Sequence, residues 1–115
     1  MKRTKPACFL SIVVALFLVF SGEQLALAED GGAATFKAKC VLCHGADGTG
    51  NTPLGKQLQA ANLRSKDVQK KTNAELHKVI HDGQTNMPPF GDQLSDQQIN
   101  QVIRYVRTLG KTAKP

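Results

Sequence analysis

The chain has no tryptophan, one tyrosine and five phenylalanines, three of which (Phe9, Phe17 and Phe20) fall in its first twenty residues. Phe36, Phe90 and Tyr105 are therefore the only large rings in the remainder. A domain this small and this poor in aromatics has little apolar volume for a core, and such domains usually need a disulfide, a metal or a bound group as a staple. Period-two alternation of useful length is also missing beyond residue 28, which argues against a sheet. The glycine-rich run Gly45–Gly50 lacks the lysine and the strand–turn–helix setting of a phosphate loop, and it reads as a plain loop. Carboxylates are in the minority, nine against fifteen lysines and arginines, for a formal net charge of +6.

The N-terminus carries a targeting pattern. Lys2, Arg3 and Lys5 precede an apolar run from Ala7 to Phe20, and Ala26-Leu27-Ala28 forms a small-residue cleavage site before Glu29. The run is shorter than the roughly 20 residues that span a bilayer. Residues 1–28 are expected to be a cleaved export signal and 29–115 a single domain, placed in the periplasm with no stable membrane insertion. Cys8 leaves with the signal, and Cys40 and Cys43 remain.

Cys40-Val41-Leu42-Cys43-His44 is the c-type haem attachment pattern. Each thiol adds across one haem vinyl group to give a thioether, and the adjacent histidine offers an imidazole nitrogen to the iron. One helical turn separates the two sulfurs, which suits neighbouring vinyls. Haem attachment uses both thiols in an oxidising compartment where a free pair would not persist.

The remaining chain reads as helix and loop. A helix is expected over Gly32–Leu42, running into the haem pattern, and a short one after Pro53 with Leu54 and Leu58 on one face. Residues 62–71 read as a loop with one turn. Thr72 and Glu75 form a capping box ahead of Leu76, Val79 and Ile80, with Gly83 as the stop. His77 and His81 on this helix read as solvated. Met87 sits in the rigid stretch Asn86-Met87-Pro88-Pro89-Phe90, an odd place for core filler, and a thioether is a known ligand of haem iron. A second capping box, Ser95 with Gln98, opens a helix carrying Ile99, Val102, Ile103, Val106 and Leu109 at helical spacing and stopping at Gly110. The fold class is all-α.

In this order, the helix, the C-x-x-C-H pattern, the loop with proline, the capped helix, the Met-Pro loop and the last helix resemble class I cytochrome c of the small bacterial exported monohaem type. The resemblance covers about Gly32 to Leu109. It implies one covalently bound haem c, held by Cys40 and Cys43, with His44 and Met87 as axial iron ligands. It also implies that Pro53 supplies the backbone carbonyl that orients His44, and that the first and last helices cross at Gly32, with Phe36, Val102 and Tyr105 nearby. The chain departs from some relatives in having no tryptophan for the haem propionates, for which Lys56, Arg64 and Asn86 are candidates.

The function implied is one-electron transport, not enzymatic catalysis, by a monomer. Transient redox partners would be a quinol-oxidising complex, a terminal oxidase or reductase, or a periplasmic dehydrogenase, with no role for nucleic acid. Exposed lysines would steer acidic docking surfaces. One alternative keeps the haem but makes Met87 labile, as in a sensor or a peroxidase-like protein. An alternative of another class is a structural zinc site formed by Cys40, Cys43, His77 and His81, although the stretch from Cys43 to His77 far exceeds the usual ~12–15 residues. A thiol–disulfide exchange role would call for a βαβ setting that the sequence does not offer.

Overall fold

The computed structural model describes residues 26–112, and every regular element among them is helical. The basic and apolar parts of the export pattern lie outside the described residues. The six helices are α1 (Ala26–Lys39), α2 (Val41–His44), α3 (Pro53–Leu58), α4 (Lys66–Gln69), α5 (Asn73–Asp82) and α6 (Asp96–Lys111).

Helix α1 starts before Gly32 and stops before the haem pattern instead of running through it. Cys40 forms a turn, and α2 then carries Val41 to His44 as a separate short helix. Both capping boxes form. Thr72 Oγ1 accepts from the Glu75 amide while the Glu75 carboxylate accepts from the Thr72 amide, and Ser95 and Gln98 repeat the exchange at α6. Gly83 ends α5 as its sequence suggests. Gly110 does not end α6, which continues to Lys111 with Thr112 as its cap. Gly110 instead lies against the Gln69 amide, where a larger residue would collide.

The core is built on one face of α6. Ile99, Val102, Ile103 and Val106 are all buried, at the i, i+3, i+4, i+7 spacing of a single stripe. Burying each such side chain is worth about 1.5–3 kcal/mol. Ile99 and Ile103 pack with Val68, Leu76 and Leu94, while Val102 and Val106 pack with Phe36 of α1. The crossing of α1 and α6 falls at Gly32. A Cβ there would strike the Gln101 backbone carbonyl and stand 3.4 Å from the Tyr105 Cβ, so only glycine permits this approach. One turn on, the Phe36 and Tyr105 rings meet with centroids 5.1 Å apart and planes inclined by 54°, a tilted aromatic pair.

Polar side chains tie the short middle elements to this frame. The Gln69 amide donates to the Leu63 and Val106 carbonyls. The Arg107 guanidinium donates to the carbonyls of Gln69 and Lys71 and to Asn73 Oδ1, clamping the α4–α5 connection onto α6. The interior left between α2, α3, α5 and α6 is the site.

Candidate haem site

A cavity of about 630 Å³ opens between these helices, within the range of small-molecule and cofactor sites. Cys40, Cys43, His44 and Met87 all line it, although Met87 lies far along the chain from the others. Most of the remaining wall is aliphatic: Leu54 and Leu58 of α3, Leu76, Val79 and Ile80 of α5, Val102, Ile103 and Val106 of α6. The core stripe of α6 therefore also forms part of the cavity wall.

The attachment segment is fixed from below. Thr52 caps α3 by accepting from the Gly55 amide, and its hydroxyl also lies 2.8 Å from the Leu42 carbonyl and 3.1 Å from that of Cys43. Gly55 backs directly onto the Cys43 carbonyl, where any Cβ would collide. Cys40 and Cys43 are unbridged thiols. Burial pushes the Cys40 thiol up to about 11, and the nearby Cys43 adds to the rise.

His44 is buried, and its Nδ1 lies 3.0 Å from the Ala61 carbonyl. Because a carbonyl can only accept, Nδ1 carries the proton and Nε2 is the basic nitrogen, without a protein partner among the described residues. Burial holds the imidazole below the ordinary histidine pKa, and the Ala61 bond opposes that shift in part. The carbonyl bonded to His44 is thus that of Ala61, and not that of Pro53, which the family resemblance implied. Pro53 occupies the first position of α3, where its missing amide proton costs nothing, and it is exposed. Ala61 could not have been found from its side chain, since every residue carries a carbonyl.

Met87 is half-buried and closes a four-residue turn. The Gln84 amide donates to the Met87 carbonyl at 3.0 Å, and the Met87 amide returns a bond to the Gln84 carbonyl at 2.7 Å. The Phe90 and Gly91 amides then donate to the Ile80 and His81 carbonyls, tying the Pro-Pro segment back to the end of α5.

Among the candidates for the propionates, Asn86 lines the cavity while Lys56 and Arg64 do not. Lys39 and Lys71 are the cationic residues on its wall, and the sequence reading passed over both for this role. The zinc alternative fails on geometry. His77 Nε2 lies 3.1 Å from Asp96 Oδ1 and His81 Nδ1 lies 2.7 Å from Asp82 Oδ1, and neither imidazole lines the cavity with the cysteines. Among the described residues, no three His, Cys, Asp or Glu side chains gather to hold a metal ion. His81 is exposed as expected, whereas His77 is half-buried against α6.

The residues fit a covalently attached haem: two unbridged thiols one turn apart, an apolar chamber, a buried neutral imidazole with one nitrogen unpaired, and a thioether lining the same cavity. Comparison with known proteins agrees. Residues 27–106 match the family model described as cytochrome C oxidase, cbb3-type, subunit III. Cytochrome c6 of Thermostichus vulcanus is 33% identical over 109 residues, covering 91% of this chain and 89% of that one. The cbb3-type cytochrome c oxidase subunit FixP of Sinorhizobium medicae (strain WSM419) is 34% identical over 87 residues, but the match spans only 30% of that subunit. Among solved structures, the KustC0563 c-type cytochrome superposes with a TM-score of 0.63 at 28% identity, covering 68% of this chain and 95% of that one. The chain belongs to the c-type cytochromes as a small class I monohaem cytochrome c, and its cofactor is a covalently bound haem c.

Proposed function

We propose that the protein is an exported, monomeric one-electron carrier of the periplasm, with His44 and Met87 as the two axial ligands of its haem iron. The carrying observation is that the attachment thiols, His44 and Met87 line one cavity although Met87 lies far along the chain from the other three. When bound, the haem supplies an iron that passes between ferric and ferrous states by one electron.

The chain's own residues determine how that capacity is used. Cys40 and Cys43 would hold the group through thioethers, each S–H adding across one vinyl with no leaving group. His44 offers Nε2 because the Ala61 carbonyl keeps the proton on Nδ1. A neutral thioether from Met87 would favour the ferrous state and, with His44, would leave no position open for a substrate. The aliphatic walls from α3, α5 and α6 exclude water. This is the chemistry of a carrier rather than an enzyme, and transient redox partners of the kinds named above follow from it. The oxidase role of FixP is not carried over, because the shared segment is a minor part of that subunit.

The test is the optical spectrum of the purified holoprotein and of Met87→Ala. Loss of the weak far-red iron–sulfur band in the variant is expected, and an unchanged spectrum would remove Met87 as the ligand. Haem that extracts into acidified acetone would exclude the thioether bonds.

A further inference from the structure

The turn that presents Met87 carries a strain its own hydrogen bonds do not explain. Thr85, at its second position, has φ of +45°, in the left-handed region, which a β-branched residue rarely adopts. Gln84 and Met87 bond to each other across the turn. These bonds close it, and those of Phe90 and Gly91 return its far end to α5, but none of them ties it to α3. That tie comes from Asn86, whose Nδ2 donates to the Leu58 carbonyl at 3.0 Å, across 28 residues of chain.

The acceptor is as informative as the donor. Leu58 is the last residue of α3, so its carbonyl has no amide waiting for it in the next turn. The chain leaves α3 through Gln59 at φ of +56°, whose amide turns back to the Gly55 and Lys56 carbonyls and leaves that of Leu58 for Asn86. At its other end, α3 is fastened to the attachment segment through Thr52 and Gly55. A continuous path of contacts thus runs from Cys43 through α3 and the Leu58 carbonyl to Asn86 and Met87. Leu58, Gln59, Thr85, Asn86 and Met87 all lie on the cavity wall, so this path bridges its two sides.

We propose that Asn86 is a positioning residue that latches the Met87 turn to α3 and so sets how readily the Met87 thioether gives way to another ligand. The latch rests on the reading of Met87 as an iron ligand. Asn86 is exposed and outside both core clusters, so the domain survives its replacement. Removing the amide frees the turn while leaving the thioether in place.

The experiment uses the ferric holoprotein, wild type and Asn86→Ala, titrated with imidazole and followed at the iron–sulfur band. Both proteins show the band before imidazole is added. The variant then binds imidazole roughly five- to tenfold more tightly, the factor that one net hydrogen bond is worth. Amide hydrogen exchange separates a latch from general loosening: in Asn86→Ala the Met87 amide exchanges faster while amides in the middle of α6 keep their wild-type rates. Equal imidazole affinities, or acceleration spread evenly over Met87 and α6, would overturn the latch and leave Met87 as ligand. A wild-type spectrum without the band would overturn the ligand assignment, and the latch with it.

Discussion

A methyl group added at Gly32 would land on the Gln101 carbonyl, so α1 and α6 must separate before anything larger than hydrogen fits. Gly32→Ala is expected to cost about 1–3 kcal/mol, the range of an overpacked interface, read as a lowered midpoint of denaturant unfolding. The requirement was visible in the sequence, because a glycine four residues before Phe36 has little reason to stand in a helix unless a neighbour approaches closely. The orientation of His44 was not visible in the same way. A proline has an identity that can be matched to a pattern, while the Ala61 carbonyl acts through a group common to all residues. The two assignments separate experimentally. Pro53→Ala leaves the 3.0 Å bond to Ala61 intact, so the visible spectrum and reduction potential should match wild type, with at most a small loss of stability. A displaced potential would return the orienting role to Pro53.

Among the elements, the two capped helices and the short α3 after Pro53 were legible, while the break at Cys40 and the four-residue α4 were not. Helices α5 and α6 declare themselves by capping boxes and an apolar stripe, both of which are side-chain signals. The break at Cys40 and the four-residue α4 depend on how the segment packs, and four residues contain too little periodicity to read. The clamp on the α4–α5 connection illustrates this. Arg107 looks like an ordinary cation in the last turns of α6, yet it donates to two carbonyls and a side-chain oxygen. Arg107→Ala leaves those acceptors to water at best and is expected to destabilise the domain by about 1–3 kcal/mol in thermal or denaturant melts. Thr72→Ala removes the α5 cap and should cost about 1 kcal/mol. The partner carboxylate supplies a pH signature. Bonds from the Thr72 amide and hydroxyl hold Glu75 below its ordinary pKa. Its contribution is present at neutral pH and is lost as pH falls through that depressed value, so wild type and Glu75→Ala should converge in stability under acid and diverge again toward pH 7.

For the exported domain as a whole, residues 29–115 hold twelve lysines and arginines against eight carboxylates, and this formal charge of +4 predicts an ionic-strength signature. Electron exchange with an acidic redox partner should slow as salt is raised, because steering by exposed lysines fades beyond a Debye length. A rate indifferent to salt would leave those lysines with solubility alone. The crossing of the first and last helices also constrains how the domain is made. Phe36 packs against Val102, Val106 and Tyr105 of α6, which lie far along the chain from it. Closing a loop of that length is entropically slow, and the contact cannot form on a partial chain. Cys40 and Cys43 follow closely on Phe36, so until α1 and α6 cross, their thiols sit on a segment with nothing closed over it. A chain shortened within α6 should therefore keep its attachment thiols while lacking the wall that shuts over them.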